Sequence, residues 1–197
     1  MKVIFLAGGI SRRMWPLSQD KNLVEFLGKP AIFYTLETVK KAGVKEVVLV
    51  GNYNNIKSLE KTGKGLGLKT QAVVQAKNLP GQGGAILSAK KYIKGPVLVC
   101  NANDFFEEKL YYDIFKKLKN SKFDVQLIGY KIKDYFPGGY LKVKNGQVLA
   151  IVEKPDPSKV PSNLVRIVVD FFSKGEELIK VLESLKTDPD KWYEEAI

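Results

Sequence analysis

The chain contains no histidine, and of its 197 residues only one, Cys100, is a cysteine. Without histidine there can be no Ser-His or Cys-His nucleophile pair and no imidazole metal site. A lone cysteine rules out an intrachain disulfide, and a reducing cytoplasm is the default expectation. Any metal must be held by oxygen ligands, a preference that suits Mg²⁺. No run approaches the roughly 18 to 20 apolar residues that a membrane helix needs. Residues 1–2 pass straight into a strand pattern with no signal-peptide cleavage signature, so no membrane association is expected. Arginine is also scarce. It supplies three of the 32 basic residues, Arg12, Arg13 and Arg166, in a chain of net charge +11. Nucleic-acid readers lean on arginine for bidentate and stacking contacts. The lysines are instead spread along the chain, as in Lys40-Lys41, Lys90-Lys91 and Lys116-Lys117, so the reading is a solvated surface and no nucleic-acid partner. A positive field also suits a substrate set carrying several phosphates.

What is present starts with residues 2–6, KVIFL, a short apolar run of β-formers that reads as a buried strand. Gly8 and Gly9 follow at once, allowing a sharp turn and close approach of a ligand to bare amides. Ser11, Arg12, Arg13 and then Lys21 add a hydroxyl and cations beside that turn. A glycine turn backed by fixed cations is chemistry for a polyphosphate. Downstream, helix patterns at 30–41, 53–61, 81–93 and 109–118 alternate with strand patterns at 46–50, 70–74 and 96–100, and Gly63, Gly65 and Gly67 read as a loop. This alternation predicts an α/β fold, a mainly parallel sheet covered on both faces, with active-site residues beyond the carboxyl ends of the strands. After residue 120 the pattern changes. A strand at 125–131 precedes a hairpin, 140–143 and 148–152, joined by Asn145-Gly146. A last strand at 164–172 and a helix at 176–185, with Ser173 as its cap, complete a small antiparallel annex on the same domain. Asp188-Pro189-Asp190 reads as the start of a final short helix over 191–197, whose Trp192, Tyr193, Ala196 and Ile197 need an apolar partner.

Four segments together resemble the sugar nucleotidylyltransferases (NDP-sugar pyrophosphorylases), of the thymidylyl, uridylyl or guanylyl type. The first is Ala7-Gly8-Gly9, Ser11, Arg13-Met14, Pro16-Leu17, Lys21 and Gly28-Lys29-Pro30. One departure is that Asp20 and Asn22 flank the lysine where the family has prolines. The second is Gln75 with Pro80-Gly81-Gln82-Gly83-Gly84-Ala85, the third Asp104 after a strand, the fourth Gly138-Gly139 with Glu153-Lys154-Pro155. Pro161-Ser162-Asn163-Leu164 resembles the segment that closes over the sugar, although Arg166-Ile167-Val168 lacks the glycine that the family often has there.

The resemblance implies a Rossmann-like three-layer α/β/α fold and a single catalytic domain over residues 1–197, shortened at its C-terminus relative to the family. It implies an Mg²⁺-dependent transfer of a nucleotide from an NTP to a sugar 1-phosphate, releasing pyrophosphate. Leu6, Ala7, Gly8, Gly9, Ser11, Gln75 and Gly81 are expected to hold the nucleotide, and Arg13 and Lys21 to be catalytic. Asp104 is the expected metal ligand, and Gly139, Glu153, Lys154 and Asn163 the expected sugar-phosphate contacts. Two rivals stay open: another phosphorylated acceptor such as phosphocholine, and a non-catalytic nucleotide-sugar-binding homologue. Which sugar, which base and which oligomeric state are not fixed by these residues. The shortened end leads to the expectation of NTP binding with slow transfer.

Overall fold

The computed structural model of the chain describes residues 1–9, 20–118, 122–185, 188–189 and 191–197. Its centre is β1 (Lys2–Ala7), whose residues Val3 to Phe5 are fully buried. It is flanked on both sides by parallel partners. One is β4 (Glu46–Gly51), with Ile4 opposite Val48, and the other is β6 (Val97–Asn101), with Ile4 opposite Val99. Between β1 and β4 run a two-residue hairpin, β2 (Glu25–Phe26) and β3 (Lys29–Pro30), and helix α1 (Ala31–Lys41). Helix α2 (Ile56–Gly65) leads into β5 (Lys69–Val74), parallel to β4. Helix α3 (Gly81–Ser88) returns the chain across β1 to β6. The order β5-β4-β1-β6 thus reverses direction at β1, which opens a crevice beyond the carboxyl ends of β1 and β6.

Helix α4 (Glu108–Leu118) precedes β7 (Val125–Lys131), and β8 (Gly139–Lys144) and β9 (Gln147–Glu153) form a hairpin. Asn145 and Gly146 both have positive φ, 52° and 77°, as the tight hairpin turn requires. Strand β10 (Leu164–Phe172) joins this annex to the main sheet. Near its start it pairs with β8 through Val165 and Tyr140, and at its end with β6, Val169 opposite Cys100. All along it pairs with β7, but the register slips between Ile167 and Phe171, a bulge that lets one strand serve two neighbours. The whole is an eight-stranded mixed sheet. Two apolar layers cover it, one under Ile32, Leu36, Leu59 and Tyr111, the other under Ile86, Leu178, Leu182 and Tyr193. The three-layer fold predicted from the alternating pattern is therefore present.

Several local expectations are corrected. Gly63 and Gly65 belong to α2 instead of a loop. Gly63 is buried, and a methyl there would meet the Thr70 hydroxyl oxygen at 2.5 Å. The helix expected over 81–93 ends at Ser88, and a separate 3-10 turn follows at Lys90–Tyr92. Ser173 does not cap α5 (Gly175–Ser184); its hydroxyl donates to Asp124 Oδ1 at 2.9 Å. The last helix, α6, is confined to Trp192–Glu195 and has no side-chain cap, while Asp190 lies outside the described residues. Its apolar side chains do find a partner: Tyr193 is fully buried against Phe172, and Trp192 donates to the Leu182 carbonyl at 2.9 Å. No helix among the described residues is long and apolar enough to cross a membrane.

Cys100 sits fully buried in β6, and burial, with Asp170 and Asp104 nearby, pushes its thiol well above the usual range. The thiolate is the reactive form. Cys100 is therefore expected to resist a disulfide reagent such as Ellman's in the native protein and to react at the rate of global unfolding, which a denaturant series would check.

Candidate active site

The crevice is built where β1 ends. The Leu6 carbonyl accepts from Ala102 N at 3.1 Å, and the Ala7 carbonyl from Asn55 Nδ2 at 2.8 Å and Asn22 Nδ2 at 3.4 Å. Leu6 and Ala7 are buried, so their contribution to this rim is backbone. Gly8 lies against Gln75, the first residue after β5. A methyl on Gly8 would be 2.0 Å from Gln75 Oε1, which is why glycine is needed here. Gln75 Nε2 donates to the carbonyls of Leu79 at 2.8 Å and Gly81 at 3.0 Å. Both amide hydrogens are thus engaged, and the side chain ties the loop before α3 to the glycine turn. Gly81 has φ +73°, and a methyl there would meet the Pro189 carbonyl oxygen at 2.3 Å. Among the described residues, no atom lies within 4 Å of where a Gly9 methyl would be.

Lys21 is carried by an Asp20 cage. Asp20 Oδ1 accepts from Asn22 N at 2.9 Å and Asn22 Nδ2 at 2.8 Å, and Oδ2 from Asn55 Nδ2 at 2.8 Å and Asn52 Nδ2 at 3.3 Å. These hydrogen bonds pin the Asp20-Lys21-Asn22 backbone at the edge of the crevice. Across the crevice, burial raises the Asp104 carboxyl, while a hydrogen bond from Asn101 and the charge of Lys21 pull it down. Lys21 and Asp104 are therefore close enough to feel each other. Gln82 Nε2 donates to Asn101 Oδ1 at 3.0 Å, and Asn101 Nδ2 donates to Asp104 Oδ2 at 3.1 Å. This chain links the first turn of α3 to the carboxylate.

Ser11 and Arg13 lie outside the described residues. Among those described, no cluster of three acidic, cysteine or histidine side chains forms a metal cage. Asp104 is a half-buried carboxylate whose Oδ2 accepts from Asn101 Nδ2 at 3.1 Å and whose Oδ1 accepts from Asn103 Nδ2 at 3.2 Å, and each oxygen keeps a further lone pair. That fits a hard cation which takes one protein carboxylate and fills its remaining positions with phosphate oxygens and water.

The annex supplies the other wall. Gly139 pairs with Glu153, and a methyl on Gly139 would stand 3.1 Å from Glu153 Oε2. Lys154 N donates to the Gly138 carbonyl at 3.0 Å, its Nζ lies 3.3 Å from Glu153 Oε1, and its φ of 42° is unusual for a residue with a side chain. Gly139, Glu153 and Lys154 are thus brought together. Asn163 is not visibly part of the group: it sits exposed just before β10, its carbonyl accepting from Ile132 N at 2.9 Å.

Sequence reasoning missed a buried charge cluster beside this wall. Arg166, its side chain 3% exposed, pairs with Asp170 through Nε at 3.3 Å and through Nη2, and donates from Nη1 to Glu194 Oε1 at 3.1 Å. Its guanidinium lies over the Tyr193 ring at 4.8 Å, and the Tyr193 hydroxyl donates to Asp170 Oδ2 at 2.9 Å. Burial pushes the Glu194 carboxyl up, Arg166 opposes this, and the charge of Glu153 adds to it. The available signal was Arg166 and Asp170 inside the otherwise apolar run LVRIVVDFF.

A mainly parallel sheet with a crevice at its reversal point, glycines at the end of β1, a carboxylate within electrostatic reach of Lys21 and an antiparallel annex make up an α/β domain with a candidate phosphate site at that crevice. Residues 2–195 match the nucleotidyl transferase family, and the chain belongs to it. A bifunctional sugar-1-phosphate nucleotidylyltransferase/acetyltransferase of Sulfurisphaera tokodaii is 31% identical over 84% of this chain and 39% of its own length. A glucose-1-phosphate thymidylyltransferase of Streptomyces griseus is 29% identical over 88% of this chain and 49% of its own length. The chain thus spans less than half of these curated relatives. Among solved structures, a putative glucose-1-phosphate thymidylyltransferase from Bacillus anthracis superposes with a TM-score of 0.82 at 18% identity, covering 99% of this chain and 78% of that one, which establishes the shared fold.

The two glycines of the turn differ in what surrounds them. Gly8→Ala must displace the Gln75 amide and release the loop carbonyls, an expected loss of about 1–3 kcal/mol. Gly9→Ala meets no atom of the described residues and should change stability by less than about 0.5 kcal/mol. Urea unfolding of the two variants checks the contrast.

Proposed function

We propose that this chain is a sugar-1-phosphate nucleotidylyltransferase catalytic domain that joins a sugar 1-phosphate to an NTP and releases pyrophosphate. Its support is membership of the nucleotidyl transferase family across residues 2–195, together with Lys21 and Asp104 at the sheet's reversal point, where the charge of the lysine pulls the carboxyl down. In this reading the glycine turn and the Gln75–Gly81 loop seat the nucleotide. Gln75 keeps its Oε1 as the acceptor for an N–H of the base. Arg13 neutralises the leaving pyrophosphate, and Lys21 neutralises charge at the α-phosphate. Lys154 holds the phosphate of the acceptor so that its oxygen attacks the α-phosphorus in line, and Glu153 accepts hydrogen bonds from acceptor hydroxyls. No covalent enzyme intermediate is needed; positioning and charge neutralisation supply the rate. Asp104 would hold Mg²⁺, which when bound adds charge neutralisation at the phosphates.

Pyrophosphate release from each of the common NTPs, with a panel of sugar 1-phosphates and phosphocholine, tests the assignment. Release with a sugar 1-phosphate supports it. Release only with phosphocholine moves the activity to another acceptor, and binding without release makes the chain a nucleotide-sugar-binding homologue.

Two variants test the roles. Asp104→Asn should raise the Mg²⁺ concentration for half-maximal turnover about tenfold or more while the melting temperature stays near wild type, since a hard cation prefers carboxylate to amide. Lys154→Met should raise the KM for the acceptor by roughly 10- to 100-fold, the range of a lost charge-assisted hydrogen bond, with the KM for NTP little changed. Equal effects on both substrates would remove Lys154 from the acceptor.

A further inference from the structure

The annex carries a buried charged group that the expected contacts do not account for. In the sheet register Val165 of β10 lies opposite Tyr140 of β8, which lies opposite Val152 of β9. The same antiparallel offset, carried one residue beyond the Val165–Tyr140 pair, sets Arg166 level with Gly139, which pairs with Glu153. Residues level across an antiparallel sheet share a face. Arg166 and Glu153 therefore stand on the same face with Gly139 between them, their backbones about 10 Å apart, or two strand spacings. Gly139 adds no side chain of its own to that interval, which Glu153 Oε2 and Ile151 Cγ2 enter from β9, at 3.1 and 3.3 Å from where a methyl would stand. Glu194, docked from α6, is bound to the near wall by the Arg166 Nη1 hydrogen bond of 3.1 Å.

Arg166 is fixed from behind. The bulge in β10 brings Asp170 round to take Nε and Nη2, Tyr193 stacks under the guanidinium, and the Tyr193 hydroxyl closes the Asp170 carboxylate. A guanidinium held on three sides has little freedom, so the carboxylate it holds is fixed as well. Arg166 takes Glu194 through Oε1, and the Glu194 side chain remains 16% exposed.

We propose that Glu194, clamped by Arg166, is the second wall of the acceptor slot over Gly139, opposite Glu153, and selects acceptors that carry hydrogen-bond donors at the end remote from the phosphate. This rests on the proposed function and narrows it. Two carboxylates facing one slot accept from hydroxyls or a protonated amine. They offer nothing to a quaternary ammonium group, which has no N–H and favours aromatic faces. The aromatic stack of Tyr135 and Tyr140 belongs to the other face of the annex, because Tyr140 is level with Val152 and Val165. The slot therefore fits a hydroxyl-rich or amino-bearing sugar phosphate.

The test crosses protein and substrate changes. The best sugar 1-phosphate from the panel is compared with its monodeoxy analogues, one ring position at a time, on wild type and Glu194→Gln, reading kcat/KM and the acceptor affinity by calorimetry in the presence of a non-reacting NTP analogue. One deoxy position remote from the phosphate should cost wild type roughly 10- to 100-fold, as for a hydrogen bond to a charged group, and cost Glu194→Gln less than about threefold. If Glu194→Gln fails to fold, Glu194→Asp, which retains an acid for Arg166, replaces it and should show the same position losing its discrimination. Identical losses in wild type and variant at every position overturn the inference. In that case selective damage to acceptor use by Glu153→Gln and Lys154→Met leaves the proposed function standing, and its absence removes that reading too. Turnover of phosphocholine above every sugar 1-phosphate also overturns the inference.

Discussion

The carbonyls at the end of β1 must be satisfied, and this single demand organises the crevice. A strand buried on both sides cannot leave its last acceptors to the protein interior. Leu6 is met by the backbone of Ala102 just past β6, and Ala7 by the side chains of Asn55 and Asn22. Those same asparagines hold Asp20, and so fix the backbone that carries Lys21. The Ala102 bond fixes the strand end from which Asn101 reaches Asp104. The segment that carries Lys21 is thus tied to the end of β1, and Asp104 to the end of β6 beside it.

The second half of the molecule depends on β10. A regular strand would pair with one neighbour on each side throughout. The slip between Ile167 and Phe171 lets β10 leave β8 and join β6, so that the annex is welded to the main sheet without a linker. It also gathers Arg166 and Asp170, which a regular strand would hold some 13 Å apart at about 3.3 Å per residue. The pair is fully desolvated, and removing one member would leave a buried uncompensated charge, worth about 3–5 kcal/mol. Tyr193 and Glu194 dock on this pair, so the C-terminal turn is held to the strand that borders the crevice.

The C-terminal segment also reaches the opposite side of the crevice. The Pro189 carbonyl packs on Gly81, and Trp192 and Leu182 pack on Gly83. A glycine-rich start to α3 thus has a packing reason in addition to backbone access, since each missing methyl is occupied by a neighbour's atoms. The same segment touches the loop held by Gln75 and the wall held by Arg166, which makes it a brace between the two ends of the crevice.

Sequence alone determined the alternation of strands and helices, the parallel half and the Asn145-Gly146 hairpin. Each of these is set by local preference: β-branched runs, apolar periodicity, and residues that tolerate positive φ. Gly8, Gln75, Gly139, Glu153 and Lys154 could be picked out because they stand at strand ends or turns, where chemistry-bearing residues interrupt apolar patterns. Only the tertiary structure decided the rest. Whether Gly63 and Gly65 lie in a helix, whether Ser173 caps one, and whether the last aromatic residues find a partner depend on what packs beside them. The Asp20 cage, the Gln82–Asn101–Asp104 chain and the Arg166–Asp170–Glu194 cluster join residues up to 35 positions apart, and the strand bulge that gathers the last of them has no local signature. Hydrogen bonds between distant side chains arise from where the backbone places them, and that placement is fixed only once the sheet has closed.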